Sequence, residues 1–440
     1  MFDLWWSAAE GVLPKNWVRP KVCLCVAAFL WAGAICTLRA QKLEVTPNQA
    51  LSDQTVVIRA TGLQRNQSVT IQATLIDGAG QHWISQADFL ADAQGSVDVS
   101  RQAPVKGTYS DVSAMGLVWS MKPEDKAVTR YQPPRDLGTQ IIEFKLLDAG
   151  RPVASALLGQ RTVEQGVRQI KVEGQLHGVL FLPGTSGPYP GVLVVGGSEG
   201  GLPVAKAAWL ASHGFAAFAL AYFRYEDLPK ELEAIPLEYF GRALAWLRQR
   251  PEIITDRIAV VGTSRGGELA LQLGSMYPHI RAVVAYVPAN IRYPACCGDT
   301  RVPYAWTWQG RPLAYSLVTK SRINPAAVMQ AAIAVEQTQG PVLLISGDDD
   351  GVWPSSVMAN SIVSRLKDAH FRYPVEHLDY SHAGHLAGRP EIVPAWLGAV
   401  WGRATQFGGT AKGNADSSLD AIPKVLEFLR TSLEATAPSK

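Results

Sequence analysis

Apolar and polar positions follow one period up to about residue 165 and another beyond it. From Leu43 to Glu164, short runs of β-branched or alternating character recur: TVVIRATGL, SVTIQATLID, WISQADFLAD, SVDVSR, GLVWSM and IIEFKLLD. Turn clusters such as Gln64-Arg65-Asn66, Asp77-Gly78-Ala79-Gly80 and Ala93-Gln94-Gly95 separate them, as expected of antiparallel strands. Six or seven such strands over about 120 residues predict an all-β, immunoglobulin-like sandwich. Its only histidine is His82 and its acids sit mostly at turns, so a packing or gating role is expected of it rather than chemistry.

After Gly166 the pattern changes. HGVLFLP and YPGVLVVGG read as strands, AKAAWLASHG as a helix and AAFALAYF as a strand. In LEYFGRALAWLRQR the residues Leu237, Phe240, Leu244 and Leu247 share one helical face. The strand IAVV and the helix ELALQLGSMYP follow, then strands AVVAYVP, PVLLISG and VEHLDY, with a helix from Ser355 and a last one near Ile422 to Leu433. Strands alternating with helices imply a mostly parallel sheet covered on both faces. The expected division is a leader over 1–40, the sandwich over 42–165 and the α/β module over 166–436.

The leader sets the expected location. Lys15, Arg19 and Lys21 precede an apolar core from Val22 to Cys36, and Leu38-Arg39-Ala40 follows it. The core is short for a spanning helix and has the length, basic flank and small-residue end of a secretory signal cleaved near Ala40. The long n-region with Asp3 and Glu10, and Leu38 at the −3 position, depart from that pattern. A true start at Val18, leaving a compact basic n-region, would remove the first departure; an uncleaved anchor is the alternative. The protein is thus expected to be exported, periplasmic or membrane-anchored, and cytoplasmic only if the leader is an artefact of the start site. Any membrane contact is expected through this segment alone. Three of the five cysteines lie in it, and the remaining pair, Cys296 and Cys297, is read as loop thiols, with a vicinal disulfide as the alternative. A net charge of +3, with no basic stripe carrying aromatics, argues against nucleic acid.

The chemistry centres on Gly262-Thr263-Ser264-Arg265-Gly266, a G-x-S-x-G pattern between a buried strand and a helix. That context puts a serine on a strained turn with its hydroxyl lifted from the sheet, and the flanking glycines let the neighbouring backbones approach. A serine hydroxyl needs a base, and the base needs a carboxylate to hold its tautomer. In an α/β hydrolase the order is Ser, acid, His. The strand PVLLISG ends in Asp348-Asp349-Asp350-Gly351, beyond the same sheet edge; Asp350 is the best-placed acid and Asp349 the second choice. Of His370, His377, His382 and His385, His385 follows Gly384 in a loop of small residues after the last strand and is the expected base, with His382 second. His377 sits inside VEHLDY, where a core or edge histidine is expected. Oxyanion donors are expected from the Arg265 amide and from Ser198 in the loop Gly196-Gly197-Ser198-Glu199-Gly200-Gly201. Neither His-x-x-His nor the acid run has the partner spacing of a metal site, and no metal or organic cofactor is expected.

With these residues placed, the chain resembles the acyl-CoA thioesterase / bile acid-CoA:amino acid N-acyltransferase family. The resemblance covers nearly everything after the leader, through LSDQTVVIRATGL, GSVDVSRQAPVKGTYSDVSAMGLVWSMKPE, FLPGTSGPYPGVLVVGGSEGGL, ALAYFRYEDLPKELEAIPLEYF, VVGTSRGGELAL, SGDDDGVWPSS and HAGHL. It implies a triad on Ser264, Asp350 and His385 and a sandwich packed against the hydrolase module. In the family the N-acyltransferases carry Cys as nucleophile, so Ser264 implies hydrolysis of an acyl thioester or ester. An exported enzyme would meet little CoA, which opens a carboxylesterase or an acyltransferase on the same residues as alternatives, and a non-catalytic binding protein as a third. The aromatics Tyr293, Tyr304, Trp306, Trp308 and Tyr315 are expected either to contact the acyl chain or only to pack a cap. Oligomeric state is not written in the sequence.

Overall fold

In the sandwich the alternation of the sequence becomes the two faces of a sheet. Ser68–Ile76 buries Val69, Ile71, Ala73 and Leu75 and leaves the intervening side chains toward solvent. A computed structural model describes residues 40–317, 325–397 and 407–434; the leader and its processing lie outside them. One sheet runs in the order Gln49–Leu51, Arg151–Arg161, Thr139–Asp148, Ser68–Ile76, His82–Leu90, Lys106–Gly107, and the facing one in the order Lys42–Thr46, Val57–Thr61, Val97–Asp98. Trp83, Phe89 and Phe144 fill the space between them.

Two elements differ from the sequence reading. GLVWSM is not a strand: Gly116–Trp119 is a short helix whose four residues are all buried, so no period-two solvent face exists. Its Gly116 lies on the Tyr109 ring, where a Cβ would overlap. Arg151–Arg161 is a strand that the sequence pattern did not suggest, because its small and exposed residues carry little β signal.

The second module is an eight-stranded sheet of β1 (Arg168–Val172), β2 (His177–Leu182), β3 (Tyr189–Val195), β4 (Ala216–Ala221), β5 (Ile253–Thr263), β6 (Ile280–Tyr286), β7 (Val342–Gly347) and β8 (Val375–Tyr380). Their spatial order is β1-β2-β4-β3-β5-β6-β7-β8, antiparallel at the first two pairings and parallel thereafter. The central strands are buried along almost their whole length, as a sheet covered on both faces requires. Five helices cover it: α1 (Val204–Ser212), α2 (Glu238–Arg248), α3 (Arg265–Met276), α4 (Ser355–Asp368) and α5 (Ala411–Glu434). The expected apolar stripe of α2 is buried as read, with Leu237, Phe240, Leu244 and Leu247 inward. This is the α/β-hydrolase architecture. Among the described residues no helix is long and apolar enough to cross a membrane.

α5 begins eleven residues before Ile422, the predicted start. The sequence KGNADSSLD reads as a linker, yet Gly413, Asn414, Ser417 and Ser418 are buried. Small polar residues are needed there because loops of the site pack directly on that face, as described below. Cys296 and Cys297 are disulfide-bonded, which corrects the reading of them as free loop thiols. The backbone turns through a positive φ of 88° at Cys297, and the amide of Cys296 is tied to the Leu232 carbonyl at 3.3 Å, which holds the pair together.

The sandwich and the hydrolase sheet form one compact unit. At their seam the Asp53 carboxylate accepts from Trp209 Nε1 at 2.8 Å and lies 2.6 Å from His213 Nε2, both on α1 or its end. Gln160 donates to the Ile392 carbonyl at 3.2 Å, and the amides of Ile392 and Ala395 donate to the Ser52 and Trp119 carbonyls at 2.6 and 2.9 Å. Asp53→Ala strands the buried Trp209 N–H and is expected to lower stability by about 1–3 kcal/mol. Asp53→Asn, which keeps an acceptor, is expected to lose less; urea denaturation of both variants measures the difference.

Candidate active site

β5 ends at Thr263 and α3 begins at Arg265, so Ser264 alone makes the turn between them. It does so at φ 58° and ψ −119°, outside the regions an L-residue favours, and such a turn persists only where the surroundings impose it. The glycines supply the room. A Cβ on Gly262 would overlap the Gly266 carbonyl, and one on Gly266 would overlap the Gly196 carbonyl of the loop after β3. The Ser264 amide donates to the Tyr286 carbonyl at 2.9 Å, which fixes the turn to the end of β6.

Ser264 Oγ lies 2.8 Å from His385 Nε2, and His385 Nδ1 lies 2.8 and 3.0 Å from the two Asp350 oxygens. All three side chains are buried, at 7, 6 and 2% exposure for Ser264, His385 and Asp350. A carboxylate on Nδ1 holds the proton there and leaves Nε2 as the acceptor facing the hydroxyl. The amides of Val352 and Trp353 donate to Asp350 Oδ1 at 2.9 and 3.3 Å, which satisfies that oxygen in a buried place.

The three successive acids have three different partners. Asp348 accepts from the His382 amide at 2.7 Å, and Asp349 accepts from the Gly409 amide at 3.1 Å. Both second choices are thus turned away from the serine: Asp349 holds a neighbouring loop, and His382 contributes its backbone from an exposed position. His377 is bound to Ser346 Oγ at 2.7 Å, and its burial lowers its pKa from the usual histidine value. It is the core-edge histidine expected of VEHLDY. His370 ends α4 on the surface.

The segment Phe407–Gly409 carries a role the sequence did not suggest. The Phe407 carbonyl accepts the amides of both His385, at 2.6 Å, and Gly351, at 3.2 Å, so one peptide group holds the base loop and the acid loop together. Gly408 pairs with Asp350 as an antiparallel bridge, and any Cβ there would overlap the Asp349 carbonyl. α5 completes the support: Asn414 Oδ1 accepts the Gly384 amide at 2.8 Å, and Ser417 Oγ accepts the Gly388 amide at 3.0 Å.

Arg265 opens α3, and the first N–H groups of a helix have no partner within it. Its side chain, not considered in the sequence reading, is buried. It donates to the Pro294 and Tyr293 carbonyls at 2.8 and 3.2 Å and pairs with Glu268 at 3.1 Å. Burial pushes the Glu268 carboxyl up, opposed by the Arg265 guanidinium, and Trp306 Nε1 donates to it at 2.6 Å. In the loop after β3 the residue against the serine is Gly197, where a Cβ would stand 3.3 Å from Ser264 Cβ; Ser198 follows on the exposed turn. The Gly197 amide donates to Glu199 Oε1 at 3.0 Å, and Tyr222 Oη donates to the Gly196 carbonyl at 2.7 Å.

The aromatics fall in two places. Trp306 is buried against Tyr222 and Phe240, and Trp308 lies beside Tyr277, so both pack the fold. Tyr293 meets Trp353 at 4.8 Å between ring centroids, and Trp353 stands edge-on to His385 at 5.4 Å. Ala289, Ile291, Ala331 and Met358 join these two rings in a separate apolar cluster beside the base. One further group has ligand-like spacing, His177 with Glu226 and Asp227, but both ring nitrogens already face carboxylates, at 2.9 and 3.2 Å.

Comparison with known proteins gives a consistent picture. Residues 235–435 match the family model described as BAAT / acyl-CoA thioester hydrolase C terminal, and residues 53–174 match the acyl-CoA thioester hydrolase/BAAT N-terminal region. Acyl-coenzyme A thioesterase 1 of Rattus norvegicus is 32% identical over 394 residues, which is 87% of this chain and 94% of that protein. The peroxisomal succinyl-coenzyme A thioesterase of Mus musculus is 31% identical over 420 residues, 90% of this chain and 98% of that one. Among solved structures, MGS-M1, an α/β hydrolase enzyme from a Medee basin deep-sea metagenome library, aligns with a TM-score of 0.38 at 18% identity, covering 62% of this chain and all of that one.

The turn at Ser264 depends on close backbone contact. Gly262→Ala places a methyl group on the Gly266 carbonyl and is expected to destabilise the protein by about 1–3 kcal/mol or more, with thermal unfolding followed by circular dichroism as the measurement.

Proposed function

Because the chain belongs to the acyl-CoA thioester hydrolase/BAAT family, we propose that it is a serine hydrolase of acyl thioesters working through an acyl-enzyme on Ser264. The observation that carries this reading is the 2.8 Å contact between Ser264 Oγ and an imidazole held on its other nitrogen by a buried carboxylate. Ser264 attacks the thioester carbonyl while His385 Nε2 takes its proton. Asp350 keeps the imidazole in the productive tautomer and stabilises the imidazolium. The developing oxyanion is held by the Arg265 amide and by the loop carrying Gly197 and Ser198, with Ser198 the second donor. His385 then protonates the leaving thiolate. A water enters, His385 takes its proton, and the acyl-enzyme is hydrolysed with Ser264 regaining its hydrogen. None of these steps calls on a metal or organic cofactor.

The apolar cluster of Tyr293, Trp353 and Met358 beside His385 is assigned to the acyl chain. A second reading, an exported carboxylesterase, is favoured by the leader-like pattern of residues 15–40. It uses the same residues and differs in the leaving group.

Matched acyl-CoA thioesters and p-nitrophenyl esters of short and long chain, assayed with and without glycine as acceptor, decide between these. Turnover of acyl-CoA, unchanged by glycine, is expected. Turnover of esters alone would replace the thioesterase by the esterase, and acyl-glycine formation would make the protein a transferase. Ser264→Ala is expected to lower turnover by roughly 10⁴-fold or more and to remove labelling by a fluorophosphonate probe, while leaving the fold intact. Retained activity in that variant would refute the nucleophile.

A further inference from the structure

Lys206 is a charged group that this mechanism does not use. It projects from the first turn of α1 and donates to Thr263 Oγ1 at 2.6 Å, with its ammonium 3.5 Å from the centroid of the Tyr286 ring. No described carboxylate forms an ion pair or hydrogen bond with it. Thr263 at the end of β5 and Tyr286 on β6 contact it, and the charged groups that act on it are Glu199 in the loop after β3 and Arg389 with Glu391 beyond β8. The Tyr286 hydroxyl is itself buried without a partner, so it offers no compensating acceptor. Burial dominates and brings the lysine down from its ordinary value to about 7, with Glu199 and Glu391 pulling the other way. A methionine or leucine would fill the same half-buried place without a charge, so the ammonium is a costly choice unless it has work to do.

Its neighbours suggest that work. Thr263 immediately precedes Ser264, and the Thr263 carbonyl is where Gly197 packs, a Cβ there standing 3.0 Å away. Glu199 holds the Gly197 amide. One ammonium therefore bonds to the serine turn through Thr263 and is drawn by charge toward Glu199 of the glycine loop. We propose that Lys206 is a positioning residue: through Thr263 and Glu199 it holds the serine turn and the Gly196–Gly201 loop in the register that forms the oxyanion site. The inference rests on Ser264 being the nucleophile. In its protonated form Lys206 attracts Glu199 and anchors Thr263. On losing its proton it keeps the hydrogen bond and loses the attraction.

The test is the pH dependence of kcat and KM for a p-nitrophenyl ester, in the wild type, Lys206→Met and Lys206→Arg. Lys206→Met is expected to lower kcat about 10- to 100-fold with KM nearly unchanged, and to lack the alkaline fall expected of the wild type near pH 7. Lys206→Arg stays charged, so it is expected to recover most of kcat and to hold it at pH 8–9. Equal kcat in the wild type and Lys206→Met, or the same alkaline fall in all three, would overturn the proposal. The charge is also read without turnover. With its pKa lowered in the fold, folded wild type binds fewer protons than the unfolded chain between about pH 7 and 10. Its stability relative to Lys206→Met is therefore expected to rise across that window, and parallel curves would overturn the placement of an ammonium that the fold disfavours. Diverging curves in a protein whose Ser264→Ala variant keeps full activity would refute the serine mechanism instead, and the positioning role with it.

Discussion

Everything at the site depends on how closely backbones approach around one serine. Ser264 occupies a strained conformation because the chain must leave a buried strand and enter a helix within a single residue. Sequence pays for this with glycine: Gly262 and Gly266 let strand, helix and the loop after β3 meet at distances no side chain permits. The hydroxyl then stands above the sheet edge with α3's first amides beside it. The acid and the base reach the same edge from the neighbouring strands β7 and β8, which the parallel pairing places next in order.

Around that contact lies a second tier that does no chemistry of its own. Asp348 and Asp349 are the same residue type as Asp350 and are adjacent to it, yet each is spent on a backbone amide. The Phe407 carbonyl joins the acid and base loops, and α5 supplies small polar side chains to two amides of the base loop. On the far side Arg265 and Glu268 carry a buried ion pair from the serine helix to Tyr293, Pro294 and Trp306. Replacing such a pair by apolar residues is often harmless to stability, whereas losing one partner is not.

Much of this was legible in the sequence, for identifiable reasons. Ser264 announces itself because a strand, two glycines and a helix leave it one geometry, and Asp350 and His385 follow from chain order and small neighbours. The sandwich is legible where β-branched residues alternate and not at Arg151–Arg161, where they do not. GLVWSM misleads because its four helical residues are buried on every side, which erases periodicity. The first half of α5 and the Phe407–Gly409 strap escape notice because their glycines, serines and asparagine look like linker. Those residue types are there to let loops pack at short range, and only the partners reveal it. Lys206 is invisible for a related reason: nothing in VAKAAWLAS distinguishes a lysine turned to the site from a solvated one.

The dependence of the base loop on Asn414 and Ser417 also sets an order of events during synthesis. The chain emerges from its amino end, so the sandwich and the strands through β8 are available to fold before α5 exists. Until residues beyond 417 have been made, Gly384 and Gly388 lack their acceptors, and the strap from Phe407 has nothing to anchor its far end. Ser264, Asp350 and His385 are therefore all synthesised before the α5 residues that hold the loop carrying the imidazole.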